Sequence, residues 1–167
     1  MNRKTDDRAQ IRVFFKSKIE KRYREDLEQL FFFNKHQKKY AAKITESVSR
    51  YAKPVIFEHE DGRHISLEFK DRKLGQTWHI FDDQTEDASL IGVLMFVREQ
   101  ENPEQITIVH LALHDTCVAL FKQEDLNIAR IIFKKALRHF RKIKQINTVH
   151  FFYSGKNVRV GESKRLK

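Results

Sequence analysis

The chain has 167 residues, of which 40 % are hydrophobic and 11 % aromatic, and its formal net charge is +10 at pH 7. This apolar share can build the core of one ordinary domain, which argues against global disorder. No apolar run approaches the roughly 18 residues that a membrane helix needs, and no signal-peptide core follows the N-terminus. Because Cys117 is the only cysteine, it cannot form an internal disulfide. We therefore expect a single-domain cytoplasmic protein, residues 1–167, with no membrane partner.

The first segment, residues 1–53, is predicted to be mainly helical. Residues 9–15 form either a short first strand or the opening of a helix. From Ser17 onward, apolar residues recur at three- and four-residue steps, which places them on one face of a helix. A second helix is predicted over residues 35–50, because Pro54 follows and a helix does not readily continue through it. The apolar face of the first helix consists of Phe15, Ile19, Tyr23, Leu27, Leu30 and Phe31.

Residues 54–123 change to the two-residue period of β-strands and form the predicted sheet. Two runs, residues 55–60 and 64–70, flank the turn sequence Asp61-Gly62, which predicts a hairpin. The run 116–121 is ambiguous. Further strands are predicted over residues 76–81, 90–98 and 105–114.

The last segment is predicted to contain one helix, one strand and a tail. Residues 124–144 have an apolar stripe on one face and basic residues on another, as an amphipathic helix packed on a sheet does. Residues 148–153 form a strand, and residues 154–167 form a polar, basic tail. The order predicts an α+β fold with two N-terminal helices, a central, mostly antiparallel sheet of five to six strands, and one amphipathic helix followed by a final strand.

Two stretches in the second half resemble a known family. Residues 91–97, IGVLMFV, and residues 108–114, IVHLALH, are similar to two strands of the GNAT-type acyltransferases. A loop and an amphipathic helix follow them, as in that family. The resemblance spans residues 90–153 and implies the family's fold and activity, the transfer of an acyl group from coenzyme A to an amine.

The resemblance also implies an acetyl-coenzyme A site where the amphipathic helix begins. In the family, backbone N–H groups of a glycine-rich loop hold the pyrophosphate at this helix N-terminus. The matching stretch here is EDLNIAR, residues 124–130, in which Asn127 takes the place of a glycine and would adopt a positive φ. Glu124 stands where the family has Gln or Arg. The sequence assigns no catalytic residue, and the residues implied to bind the cofactor are Leu113, Asn127, Ile128, Ala129 and Arg130.

A different chemistry is indicated by Glu68-Phe69-Lys70, which resembles the E-x-K element of the PD-(D/E)xK nucleases. In that family two carboxylates hold Mg²⁺ and the lysine helps to activate the attacking water. Asp61 is one residue that would supply the second carboxylate. The nuclease alternative therefore rests on Asp61, Glu68 and Lys70, and apart from it we expect no metal site.

The distribution of charge suggests a polyanionic partner. Residues 1–53 and 124–167 are basic, whereas residues 54–123 carry a net negative charge. We expect the partner to be a nucleic acid or an acidic protein. In the second case the chain would act as a protein-interaction module. Three adjacent residues, Phe31-Phe32-Phe33, cannot all face one core, which suggests a homodimer contact. The candidate phosphate contacts lie on one face of the amphipathic helix and are Arg130, Lys134, Arg138 and Arg141.

Overall fold

A six-stranded sheet forms the centre of the fold, and a three-stranded sheet lies beside it. The computed structural model describes residues 12–70, 75–115 and 127–160. Short 3₁₀ helices span Lys21–Tyr23 and Lys35–Tyr40. The α-helices are α1 (Arg24–Phe31), α2 (Ala41–Tyr51) and α3 (Ile128–Phe140). The strands are β1 (Phe14–Lys16), β2 (Ile19–Glu20), β3 (Pro54–Glu58), β4 (His64–Phe69), β5 (Gly75–Phe81), β6 (Leu90–Val97), β7 (Gln105–Leu113), β8 (Thr148–Phe151) and β9 (Lys156–Arg159).

The large sheet has the strand order β1-β5-β6-β7-β8-β9, and the small sheet has the order β2-β4-β3. Strands β7 and β8 are parallel, with α3 between them in the chain, whereas every other neighbouring pair is antiparallel. The predicted α+β class and the mostly antiparallel sheet are confirmed. The predicted hairpin is also confirmed as β3–β4, although it belongs to the small sheet.

The large sheet is covered on both faces, which explains why every residue of β6 is buried. On one face, Val93 and Met95 of β6 pack with apolar residues of α1 and the small sheet. On the other face, Leu94 and Phe96 pack against α3. The helical residues in these two cores are Leu27, Leu30 and Phe31 of α1 and Ile128, Ile132, Ala136 and Phe140 of α3.

One buried histidine, His79 on β5, connects the two sheets. Its Nε2 accepts a hydrogen bond from the backbone N–H of Leu67 on β4 at 3.1 Å. Its Nδ1 lies 3.0 Å from the carbonyl oxygen of Lys16, to which it donates because Nε2 is the acceptor nitrogen. Burial lowers the pKa of His79 to about 4, so the ring is neutral at neutral pH.

The N-terminal segment is less helical than predicted. The first helix begins at Arg24 rather than Ser17, because residues before it pair with strands. Phe14–Lys16 pairs with β5, and Ile19 lies opposite Ile65 of β4. Hydrogen bonds between strands therefore replace the helix that the spacing of apolar residues favoured. Likewise, the predicted helix over residues 35–50 is a 3₁₀ helix followed by α2.

The C-terminal segment is more ordered than predicted. Residues 156–159, assigned to a basic tail, form β9, which pairs with β8. Gly155, at φ 65°, makes the turn that reverses the chain. All four residues of β9 are exposed, so the strand is held by backbone hydrogen bonds and shows no apolar alternation. Val160, just beyond it, is buried in the α3 core.

Helix α3 is also shorter than the predicted span of residues 124–144. Residues 124–126 and the ambiguous run 116–121 lie outside the described residues. After Phe140 the chain turns, with the N–H of Ile143 donating to the Phe140 carbonyl at 3.0 Å. Within the described part of the chain, no helix is long and apolar enough to cross a membrane.

Candidate functional site

A cleft opens where the parallel strands β7 and β8 separate. The two strands pair from Gln105–Thr148 to Ile108–Phe151. Past this point one more hydrogen bond connects the two segments, donated by the N–H of Phe152 to the carbonyl of Ile108 at 3.0 Å. Strand β7 then continues to Leu113, and no other described strand pairs with this edge. The β7–β8 cleft has a volume of about 440 Å³ and is mostly apolar.

The cleft is enclosed by β7, the start of α3, the β8–β9 turn and the 3₁₀ helix before α2. Its volume lies within the range of about 300–1,000 Å³ that is typical of ligand sites. The lining residues are Asn34, Gln37, Lys39, Tyr40, Ile108, Val109, His110, Leu111, Ala112, Leu113, Ala129, Phe133, Phe151, Phe152, Tyr153 and Ser154.

A β-bulge in β7 lies at the wall of this cleft. Along β6, Phe96 pairs with Ile108 and Met95 pairs with His110, so Val109 is the extra residue. A bulge bends its strand and redirects the side chains that follow. The cleft wall therefore contains His110 just after the point where β7 bends.

Gln37, His110 and Tyr153 form a chain of hydrogen bonds across the cleft wall. The amide nitrogen of Gln37 lies 3.0 Å from His110 Nε2, and His110 Nδ1 is hydrogen-bonded to the hydroxyl of Tyr153. Because an amide nitrogen is a donor, Nε2 accepts and Nδ1 carries the ring proton. Nδ1 therefore donates to the Tyr153 oxygen, which leaves the hydroxyl proton directed away from His110.

Burial sets the protonation states of His110 and Tyr153. It lowers the pKa of His110 to about 4, because the protonated ring loses its hydration. It raises the pKa of Tyr153 well above its usual range, and the neighbouring Tyr40 adds to this effect. Near neutral pH the site therefore has a neutral imidazole and a protonated hydroxyl, which together can relay a proton without holding a fixed charge.

A second cavity lies beneath α2, and we refer to it as the α2 pocket. Its volume is about 230 Å³. Val109, Gln37, His110 and Tyr153 line both cavities, so the two cavities adjoin beside the hydrogen-bonded side chains. The α2 pocket is lined by Phe31, Phe32, Gln37, Ile44, Ser47, Val48, Ala52, Lys53, Pro54, Phe69, Met95, Val109, His110 and Tyr153.

The start of α3 differs from the expected phosphate loop. Asn127 has φ −91°, so the expected positive φ is wrong. Its side-chain oxygen accepts from the N–H of Arg130 at 3.0 Å, which makes it an ordinary N-cap. Of the residues that the resemblance implies for cofactor binding, Leu113 and Ala129 line the cleft, whereas Ile128 is buried in the core.

The basic face of α3 is exposed as the sequence suggested. The side chains of Arg130, Lys134, Arg138 and Arg141 are exposed. Within the described residues, none of these four forms an ion pair with a carboxylate. The neighbouring Lys135 differs, because it donates to the carbonyl of Val13 and lies over the Phe14 ring.

The structure does not bring the three nuclease candidates together. The Asp61 carboxylate accepts from the N–H groups of Arg63 and His64, and these contacts, with the His64 side chain, hold its pKa well below its usual range. Glu68 accepts from Ser66 Oγ at 2.5 Å and lies about 13 Å along β4 from His64. Lys70 is exposed just past β4. No group of three or more His, Cys, Asp or Glu among the described residues is placed to hold a metal ion.

Sequence reasoning missed Gln37 and Tyr40 and did not connect His110 with Tyr153. His110 and Tyr153 are 43 residues apart, and Gln37 and His110 are 73 apart. The one available signal was a histidine on an otherwise apolar strand, since a buried imidazole needs hydrogen-bond partners. Its partners are set by the packing of the 3₁₀ helix and the β8–β9 turn.

Comparison with known proteins leaves the family of the chain unassigned. No protein-family model, no curated protein and no solved structure matches it.

Proposed function

We propose that this chain is a GNAT-like N-acyltransferase that binds an acyl-coenzyme A thioester in the β7–β8 cleft. The observation that carries the proposal is the separation of two parallel strands beside the Gln37–His110–Tyr153 chain. A long, thin thioester arm fits a mostly apolar cleft of about 440 Å³ that leads to a proton donor.

Beyond Ile108, one edge of β7 pairs with no described strand, which supports an extended ligand there. The N–H of His114 donates to Ile91 at 2.9 Å, towards β6. Because backbone groups alternate along an antiparallel strand, those of Leu111 and Leu113 point to the opposite edge. The Leu113 carbonyl accordingly accepts from the Asn34 side chain at 3.0 Å. A ligand with amide groups along its arm would bind this edge as an added strand does.

The hydrogen bonds that connect Gln37, His110 and Tyr153 support acyl transfer. The thiolate that leaves an acyl thioester needs a proton. Burial raises the pKa of Tyr153, so its hydroxyl is protonated near neutral pH and gives up that proton as it receives the Nδ1 proton of His110. Neutral His110 can accept a proton and return one to Tyr153 through Nδ1. Both groups avoid a fixed charge in a mostly apolar cleft, where an unpaired charge would be costly.

The capped start of α3 changes the predicted phosphate site. Because Asn127 already accepts from the N–H of Arg130, that N–H does not meet a ligand. The proposal therefore assigns the phosphate contact to the exposed guanidinium of Arg130, a bidentate donor for phosphate oxygens.

The test is the thermal stability of the protein with acetyl-coenzyme A. Saturating ligand, at 100 times its Kd, should add about 2.7 kcal/mol to the free energy of unfolding. Ala129→Phe should abolish this gain by filling the cleft, while Ala42→Phe, at an exposed position of α2, should retain it. No stabilisation of the wild-type protein at millimolar ligand would contradict the proposal.

A second candidate function is nucleic-acid binding by the basic face of α3. It is favoured by four exposed cations that have no carboxylate partner within the described residues. Gel shifts over a salt series should give an affinity that falls steeply as salt rises. Arg138→Glu with Arg141→Glu should reduce that slope by about two, since each contact contributes about one. Lys38→Glu with Arg63→Glu, the same charge change elsewhere, should leave the slope nearly unchanged.

A further inference from the structure

The α2 pocket adjoins the proposed donor cleft. Gln37, His110 and Tyr153 belong to the lining of both cavities. A molecule in each cavity would therefore contact the same proton-relay groups. This arrangement fits two reactants that meet beside these groups.

The lining of the α2 pocket selects against cationic ligands. Its walls are mainly apolar, with Ile44 and Val48 of α2 facing Met95 and Val109 of the large sheet. None of the described residues that line it is acidic, and Lys53 is its one lysine or arginine. Lys53 is exposed and forms no ion pair with a described carboxylate. A polyamine or a lysine side chain would bring a positive charge without a partner, which is costly in such a site.

The size of the pocket limits the ligand further. A volume of 230 Å³ corresponds to roughly eight water molecules at about 30 Å³ each. A ligand on the order of ten non-hydrogen atoms fills that space. An apolar body of this size with one anionic group matches both the walls and Lys53.

The backbone next to Lys53 is strained. Ala52, which also lines the pocket, has φ 71° and ψ 168°. This region is populated almost only by glycine and costs of order 1–3 kcal/mol for other residues. Such strain concentrates at ligand sites, and here it fixes the path of the chain immediately before the cation.

We propose that the α2 pocket binds the acyl acceptor, and that this acceptor is an apolar α-amino acid of about the size of leucine. The inference rests on the proposed acyltransferase function. The carboxylate pairs with Lys53, the side chain packs between Ile44 and Val48, and the amine, bound in its neutral form, faces His110.

The reaction is balanced without a further reagent. The amino acid reacts as a neutral amine, after its ammonium group has released one proton to water. The amine nitrogen then attacks the thioester carbonyl carbon, so a carbon–nitrogen bond forms and the carbon–sulfur bond breaks. The amine proton passes to His110 Nε2, which then no longer accepts the hydrogen bond from the Gln37 amide. The Nδ1 proton passes to the Tyr153 oxygen, and the Tyr153 hydroxyl proton passes to the thiolate sulfur. The products are an N-acyl amino acid and a free thiol.

The experiment measures the binding of L-leucine and L-lysine by calorimetry, with and without saturating acetyl-coenzyme A. Leucine should bind and lysine should not. Lys53→Gln should weaken leucine binding on the order of tenfold, since it removes a charged hydrogen-bond partner, and should leave acetyl-coenzyme A binding unchanged. Lys38→Gln, an exposed lysine outside both cavities, is the matched control. Val48→Phe fills the α2 pocket and should also abolish leucine binding.

The outcomes separate this inference from the proposed function. Leucine binding that depends on Lys53 supports the pocket even if acetyl-coenzyme A does not bind, in which case the donor proposal alone is wrong. Acetyl-coenzyme A binding without leucine binding overturns the pocket assignment alone, and binding of neither overturns both. Tighter binding of octanoyl- than acetyl-coenzyme A, lost in Val48→Phe, also overturns it, because the pocket would then hold the donor's acyl chain.

Discussion

The imidazole of His110, on β7, is hydrogen-bonded to the hydroxyl of Tyr153, two residues past the end of β8. This bond connects two parallel strands beyond the point where their backbones stop pairing. It therefore fixes the width of the cleft at the position where the proposed chemistry takes place.

Removing the Tyr153 hydroxyl should destabilise the protein. In Tyr153→Phe the ring remains, but the buried Nδ1 of His110 loses its acceptor, which should lower the free energy of unfolding by about 1–3 kcal/mol. Tyr40→Phe is the matched control, because its ring lies 5.3 Å from that of Tyr153 but is exposed. That control should change the stability by less than about 0.5 kcal/mol. If Tyr153→Phe and Tyr40→Phe lowered the free energy of unfolding equally in urea denaturation, the buried hydrogen bond would make no specific contribution to stability.

Stability should fall as the pH drops from about 6.5 to about 4. Burial lowers the pKa of His110 and of His79 to about 4 in the folded chain, whereas an unfolded histidine titrates near pH 6.5. Below pH 6.5 the unfolded chain therefore binds protons that the folded chain excludes, and unfolding becomes easier. Stability is complete above this window and is reduced on the order of 3 kcal/mol per histidine at its lower end.

Asparagine substitutions isolate these contributions. His110→Asn and His79→Asn each remove one titrating ring, so each variant should show a shallower dependence of the unfolding free energy on pH between 6.5 and 4. The slope is the quantity to compare, because both variants also lose hydrogen bonds at every pH. If His110→Asn kept the wild-type dependence of the unfolding free energy on pH, the His110 ring would be protonated as easily in the folded chain as in the unfolded one.

Ala52→Gly should stabilise the protein. Glycine relieves the strain at φ 71°, worth of order 1–3 kcal/mol, but it increases the entropy of the unfolded chain by roughly 0.5–1 kcal/mol. The expected net gain is about 1 kcal/mol. The same substitution at Ala42, inside α2, should instead cost about 1 kcal/mol. Thermal unfolding of the two variants should therefore shift in opposite directions, and a shift in the same direction would contradict the strain at Ala52.

Phe31 and Phe33 should respond differently to alanine. Phe31 is buried, and its ring meets the edge of His110 with centroids 5.3 Å apart. Phe31→Ala should therefore cost about 3–5 kcal/mol. Phe33 is 65 % exposed, so Phe33→Ala should change stability by less than about 0.5 kcal/mol.

The exposed residues Phe32 and Phe33 also provide a test of the predicted homodimer. If exposed Phe32 and Phe33 form the contact between two copies, Phe33→Ala should shift the sedimentation of the protein from dimer to monomer at equal concentration. A wild-type protein that sediments as a monomer at every concentration would rule this contact out.

The elements with local signals were predictable from the sequence. Asp61-Gly62 between two alternating runs identified the β3–β4 hairpin, and Gly62 has the positive φ of 66° that such a turn uses. The amphipathic stripe identified α3, since Ile132 and Phe140 face the sheet. In both cases the residues that decide the structure are close together in the sequence.

The elements that depend on distant partners were not predictable. Ile19 fits a helical stripe, yet it is held in β2 by pairing with Ile65. Strand β9 is exposed along its length, so no apolar pattern marks it. The candidate site shows the same limit, because Gln37, His110 and Tyr153 meet only after the 3₁₀ helix packs against the sheet. A single sequence contains no local signal for such a contact.

Among the described strands, the two outermost of the large sheet carry basic residues at their ends. Lys16 closes β1 at one edge, and Lys156 and Arg159 bound β9 at the other. An exposed strand edge invites pairing with another chain, and like charges on both edges oppose it. Like charges at these strand ends oppose the pairing of two copies edge to edge. The solubility of the protein should therefore fall as salt screens these charges.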